Sequence, residues 1–433
     1  MSHLGQALQD LEAIVGAAHL TTATGGVATL TGGLSHYVVD GQMPFAVAEA
    51  ANEEQVRALL RVAGQSKLSV LLRGSGSHLH LGAVPEPIGL IVDLHRRDHV
   101  VAYDPGDLTI TVQAGMSLGE LRRLVGGHGQ TLPLDPPGPD TATLGGIVAT
   151  GLTGPLRRRY GAPRDLVLGL RVARSDGEAI KTGGRTVKNV AGYDLSKLFV
   201  GSLGTLGAIL EVTLRLIPAP EARALFLTAA TAARVREVTA DLLASPLEIA
   251  SCDVISANAA PRLQLGRLNA PEGSLLLLLG VMGAREGVVR QERELRARLP
   301  EGLMRVDGDE IWTQVRDLPY PTPRGGAVLR MSVPLASAVD LVDLIATEPE
   351  WQAVARAGDG IVYAMGPADH DTLVRLRAEA ERRGGHAVLE SGPLELKRTF
   401  PVWGESVANV DLMRALQQSF DPAGVMGCGR FVA

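Results

Sequence analysis

The chain has 433 residues, 45% hydrophobic and 21% charged, with a net charge of −5. That length exceeds one ordinary core and suggests two domains with a returning tail, and a slightly acidic chain argues against a general nucleic-acid binder. Its two cysteines, Cys252 and Cys428, supply neither a disulfide framework nor the four thiolates of an iron–sulfur cluster, so a reducing cytoplasm is the expected setting.

The start, MSHLGQALQDLEAIVG, has no basic n-region and is not expected to act as a secretory signal. Asn52 with Gln55 three positions on reads as a capping box. Val56, Leu59, Leu60 and Ala63 then recur at helical spacing. The strand LSVLL runs into RGSGSHLHLG, residues 73–82, which places an anion-sized turn at a strand end. IGLIVDL (88–94) and HVVAY follow as strands; LTITVQ alternates at Leu108, Ile110 and Val112, as a half-buried strand would. Ser117 and Glu120 open a second capped helix. Residues 132–154 are a Pro/Gly-rich excursion, long enough to expect a functional loop. Residues 165–180 read as a hairpin on Asp176-Gly177, and LGAILEVTLRLIP as a long strand.

PAPEA (218–222) is the expected linker. Beyond it, helices near 231–244, 286–299, 336–346 and 367–384 alternate with the strands EIASCDVIS, SLLLLLGV, AVLRMSVP, GIVYAMG and HAVLES. The run SLLLLLGVMG is far shorter than the roughly 20 residues of a membrane span, so no membrane span is expected. A helix over 408–420 and a Gly-rich end complete the tail. The expected division is 1–37 as an N-terminal segment, 38–220, 221–400 and a tail of 401–433.

The loop at 73–82 suits a phosphate, because N–H groups in small-residue turns form a nest for anionic oxygens. It is not a Walker loop, and Gly74-x-Gly76-x-x-Leu79 lacks the third glycine of the dinucleotide fingerprint. Taken alone it competes with a plain tight turn. Three further small-residue clusters strengthen the phosphate reading: TATLGGIVATG (141–151), GGRTVKNVAGYDLSKLFVGSLGTLGAILE (183–211, with Arg185 and Lys188 for charge) and PAGVMGCGR at the end.

In this order, with YGAPRDLVLGLRVARSDGE and LPLDPPGPDTATLGGIVATG between, the clusters resemble the FAD-linked oxidases of the vanillyl-alcohol oxidase type. Within them the chain is most similar to the FAD-binding (E) subunits of bacterial glycolate oxidases. The resemblance implies an α+β fold: a PCMH-type FAD-binding domain of two subdomains, an α+β cap domain, and a C-terminal tail returning to the flavin. It implies that Arg73, Gly74, Ser75, Gly76, Ser77 and His78 wrap the FAD pyrophosphate. Thr143, Gly145, Gly146, Ala149, Thr150 and Gly151 would line the isoalloxazine, with Tyr160 and Gly161 closing the same wall. Gly204, Gly207 and Ile209 would pack near the adenine. Where relatives read Asn-Pro near the end, this chain has Gly427-Cys428. Some relatives attach FAD through a His four residues after the loop Arg; here that residue is Ser77, so non-covalent FAD is implied.

Partners implied are a second FAD-linked oxidase subunit, an iron–sulfur subunit and a small 2-hydroxy acid, with any contact to the inner membrane face made through those subunits. A stand-alone 2-hydroxy-acid dehydrogenase and a flavin-holding scaffold without turnover are the alternatives. Oxidation needs a base and a cation for the carboxylate. Arg330, a strand Arg within an apolar run, needs a counter-ion or a ligand. It and His386 are the candidate catalytic residues. The histidine-rich metal stretch of catalytic relatives has no counterpart near GDGIVYAMG (358–366), so no metal is expected. Trp312, Arg316, Tyr320 and Arg324 crowd a segment suited to a lid or a subunit contact.

Overall fold

Ala7, Leu11 and Val15 recur on one face of the helix His3–Val15 and are buried with Val56, Leu59, Leu60 and Ala63 of the helix Glu53–Ser66. The computed structural model describes residues 3–22, 33–185, 193–264, 271, 273–299, 302–306, 308–320, 325–405 and 407–431. Lys188 and Arg324 lie outside the described residues. Asn52 Oδ1 accepts the Gln55 N–H at 3.0 Å, but Gln55 Oε1 accepts from Ala51 at 2.8 Å, one residue before the position a capping box uses.

These helices cover a four-stranded sheet in the order Leu20–Thr22, Ala46–Glu49, Leu90–Asp93, Val70–Arg73, whose last three strands run parallel. A five-stranded antiparallel sheet follows, ordered Val100–Asp104, Thr109–Gln113, Ala208–Arg215, Val167–Ala173, Ala179–Gly183. The expected half-buried strand at 108–113 is instead buried on both faces from Thr109 to Val112. Its alternation is real, but the polar side is covered: Thr111 Oγ1 lies 2.9 Å from Thr213 Oγ1 on the neighbouring strand.

Past a two-stranded ribbon of Gln130–Thr131 with Ile217–Pro218, the chain enters an eight-stranded sheet at Ala222. Its eight antiparallel strands are ordered Met304–Val306, Ala222–Ala230, Leu275–Gly283, Ile249–Ser256, Gln352–Arg356, Ile361–Pro367, Gly326–Ser332, His386–Ser391. Leu275, Leu277 and Leu279 join one core and Leu276 and Leu278 another. This two-sided burial explains a strand with no polar face. Helices Ala232–Ala244, Arg285–Arg298, Ala338–Ala346 and His370–Arg382 cover the first face. The helix Asp309–Asp317 places Ile311 and Val315 on the second.

The tail returns to the first sheet. Val70 N–H donates to the Val425 carbonyl at 2.6 Å, and Gly427 N–H donates to Val70 at 3.0 Å. A Cβ at Gly427, which sits at φ +82, would strike Thr205, so this position demands glycine. Its N–H is engaged by Val70 and its carbonyl by the Arg430 N–H.

Between the sheets lies a buried carboxyl with a stability signature. Asp135 accepts the Leu156 N–H at 3.0 Å, and burial pushes its carboxyl up to about 7. A carboxyl raised above its unfolded value near 3.9 adds stability below that value and loses it as pH climbs through the folded one. Asp135→Asn keeps an acceptor for Leu156 and removes the charge. Its melting temperature is therefore expected to exceed that of the unsubstituted protein at pH 8, by the equivalent of a few kcal/mol, and to converge with it near pH 4. Equal differences at both pH values would show that the carboxyl titrates normally.

Candidate functional site

The loop after Val70–Arg73 has an unusual polarity. Its carbonyls from Ser75 to His80 are satisfied: Ser75 by Arg73 Nη2 at 3.3 Å, Ser77 by Tyr320 Oη at 3.1 Å, Leu79 by Arg430 and His80 by Lys397. The Gly76 and His78 carbonyls accept from Leu79 and Leu81. By contrast, among the described residues no hydrogen bond uses the N–H of Gly74, Ser75, Gly76, Ser77 or His78. Five successive open donors make a nest whose natural complement is an anion. Gly76 at φ +80 makes the turn that gathers them.

Arg73 is not free to act as the phosphate's cation. It pairs with the fully buried Asp93 and stacks 4.8 Å over the Tyr37 ring. The two histidines face away from solvent. His78 Nε2 donates to the Pro137 carbonyl at 2.9 Å, and the rings of His78, His80 and Tyr320 cluster with centroids 5.5–5.9 Å apart. Burial, with neighbouring His78, Lys397 and Arg430, pushes His80 down to about 3 and keeps it neutral. The two histidines sit in consecutive turns, not in an extended segment, and Tyr320 of the second domain packs on both rings.

Three adjoining cavities extend from this nest. The first, about 430 Å³, is walled by Gly74, Thr143, Gly145, Gly146, Gly204 and Ile209, with Gly207 and Ala149 also on it. The second, about 530 Å³, runs along Gly74 to Leu79 and shares Thr143, Gly146, Ala149 and Leu203 with the first. Thr150 and Leu203 carry the wall into a third of about 840 Å³. That last cavity meets the eight-stranded sheet at Arg330, Tyr363 and Glu390, and Gly151 and Arg157 line its other side.

Much of the wall is the helix Leu144–Thr150, which begins after Thr143 and ends at Gly151. Two glycines in LGGIVAT hide it from propensity. Gly145 is packed so tightly that a Cβ would lie 2.7 Å from Ala114, whereas a Cβ on Gly146 meets only Thr143 Oγ1, at 3.2 Å. Gly146 therefore leaves a cradle for a ligand. Tyr160 and Gly161 stand apart, lining none of the three cavities. Gly161 closes a turn over Asp165, and Arg159 stacks on the Tyr160 ring at 5.6 Å.

Arg330 has an internal partner: its Nε donates to Glu390 Oε1 at 2.6 Å and its Nη1 to Ser332 Oγ at 3.2 Å. Burial raises the Glu390 carboxyl against the pull of Arg330. His386 is exposed at the start of its edge strand and does not line the cavity. The segment expected as a lid or subunit contact is a clamp within the chain. Arg316 pairs with Asp317 at 2.7 Å and donates to Gly138 at 3.1 Å, and Tyr320 lies on the histidines. Among the described residues no cluster of three or more His, Cys, Asp or Glu suits a metal, and no helix is long and apolar enough to cross a membrane.

Residues 44–183 match the FAD binding domain family. Glycolate oxidase subunit GlcE of Escherichia coli is 30% identical over 390 residues, spanning 87% of this chain and 97% of the relative. The chain belongs to the FAD-linked oxidases of the vanillyl-alcohol oxidase type. Glycolate oxidase subunit GlcD of Bacillus subtilis is 27% identical over 424 residues, spanning 90% of this chain and 89% of that one. The fold extends over nearly the whole chain: p-cresol methylhydroxylase superposes with a TM-score of 0.74 at 15% identity, covering 99% of this chain and 97% of the other. As a member of this family the chain is an FAD-linked oxidoreductase of the α+β type with a cap domain. The open amides and the Gly146 cradle fit that cofactor: one complements a pyrophosphate, the other leaves space for a planar ring.

Proposed function

We propose that the chain is the FAD-binding subunit of a glycolate oxidase (glycolate dehydrogenase) complex. It would oxidise glycolate or D-lactate-type 2-hydroxy acids to 2-oxo acids, beside a second FAD-linked oxidase subunit and an iron–sulfur subunit. The near full-length similarity to a glycolate oxidase subunit supports the assembly. The observation that carries turnover is the third cavity, where the loops assigned to the flavin face a largely buried carboxylate and two arginines.

Gly74 to His78 would hold the pyrophosphate by their N–H groups, and the wall from Thr143 to Gly151 the ring system. Bound FAD supplies a two-electron acceptor for the hydride of the carbinol carbon. Glu390 would receive the hydroxyl proton, and Arg330 holds that carboxylate in place. With only two cysteines, the chain would pass electrons to clusters on a partner.

Non-covalent attachment is supported by Ser77, whose Oγ lies 2.7 Å from Ser75 Oγ, and by the turn of His78 toward Pro137. Acid precipitation should release the flavin into the supernatant; yellow colour in the pellet would overturn this. The function itself is tested by adding glycolate, then D-lactate, anaerobically to the purified yellow chain, alone and with its partner subunits. Bleaching of the flavin band is expected. A flavin that stays oxidised under every combination would leave a scaffold.

A further inference from the structure

Three consecutive arginines, Arg157 to Arg159, form the short helix that docks the first domain against the strand Ile249–Ser256. Two of them serve that docking. Arg159 pairs with Glu248 at 2.7 Å. Arg158 lies against Gly358, where any Cβ would collide with its side chain. Arg157 is different. It lines the third cavity, half-buried, and among the described residues no carboxylate lies within ion-pairing distance of it and no hydrogen bond uses its side chain.

A half-buried guanidinium with no hydrogen-bonding partner, facing a cavity, lacks the acceptors its five donors call for. On the facing sheet, Arg330 is neutralised by Glu390 and further engaged by Ser332. A second carboxylate brought to Arg330 would stand beside the first and repel it. The cavity therefore has one positive charge with no carboxylate at contact distance, balanced only at longer range by Asp359, and it lies on the first domain. Ile361, Tyr363 and Val388 give the remainder of the sheet side an apolar or hydroxyl character.

We propose that Arg157, and not Arg330, binds the carboxylate of the substrate, selecting small 2-hydroxy carboxylates through a bidentate, charge-assisted contact. This rests on the 2-hydroxy-acid reading above. With the carboxylate on Arg157, the other end of the acid is left to the Arg330–Glu390 pair, so one cavity separates the anchoring cation from the proton acceptor.

The test is titration of the FAD-loaded protein with oxalate, an unreactive anion of the same class, followed by the visible flavin spectrum. Flavin content is measured in parallel. Arg157→Met should retain its flavin and bind oxalate about 10- to 100-fold more weakly. Arg157→Lys, which keeps the charge but loses the fork, should fall between the two. If the unsubstituted protein responds and Arg157→Met responds equally, the assignment to Arg157 fails while the 2-hydroxy-acid reading stands. Loss of flavin from both variants would reassign Arg157 to the cofactor and overturn the proposal. If neither oxalate nor any 2-hydroxy acid perturbs the unsubstituted protein, the functional reading falls and this inference with it.

Discussion

Gly146→Val is expected to give a folded protein that purifies without flavin. Gly146 sits in the helix Leu144–Thr150 with a helical backbone, so valine carries no left-handed strain and replaces a poor helix former. The first new atom meets only Thr143 Oγ1, at 3.2 Å. The rest of the side chain projects into the two cavities that Gly146 lines. Overpacking of this kind costs on the order of 1–3 kcal/mol, enough to weaken FAD by roughly 5- to 150-fold. Because a bound ligand stabilises the folded state, added FAD should raise the melting temperature of the unsubstituted protein but not of the variant. Gly76→Val is a poorer probe, since φ +80 strains any side chain whatever the space. Full flavin content in Gly146→Val would show that FAD does not lie along this helix.

The second large effect is expected at Glu390. Glu390→Gln preserves an acceptor for Arg330 Nε, so the sheet and the flavin should be retained, but an amide cannot take the hydroxyl proton. Removing a general base lowers turnover by about 10²–10⁴. The pH profile adds a readout that a structural role would not move. Only the ionised carboxylate accepts a proton, and burial raises its pKa above the ordinary carboxylate range. Turnover should therefore rise with pH through that raised value and then level off, and the acid limb should vanish in Glu390→Gln. Turnover within a few-fold of the unsubstituted chain would remove Glu390 from the chemistry.

Much of the architecture was legible locally. The helix at 53–66, the hairpin on Asp176-Gly177 and most strands of the large sheet follow from period and turn chemistry. The helices Leu144–Thr150 and Asp309–Asp317 and the strand Gln352–Arg356 did not. The first has a glycine-rich sequence that suppresses helix propensity. The other two owe their burial to elements that pack on them from far along the chain. Glu390 and Arg157 escaped notice for a related reason. Nothing in HAVLES or LRRRYG distinguishes a cavity residue from a surface charge until the two domains face each other.

By itself the sequence determined the four small-residue clusters that could let backbone amides approach a ligand, and a thiol count too low for a four-thiolate iron–sulfur cluster. These depend on residue type and short spacing, which are properties of the chain alone. Tertiary structure decided which way the loop RGSGSHLHLG points its polarity. Its carbonyls are taken by Tyr320, Lys397 and Arg430, which lie 243, 317 and 351 residues from their partners. It also decided that Arg330 is paired with Glu390 while Arg157 has no carboxylate at contact distance. Hydrogen bonds and ion pairs of this kind depend on distances of a few ångströms between remote segments, and those distances exist only once the sheets, the cap and the tail have packed.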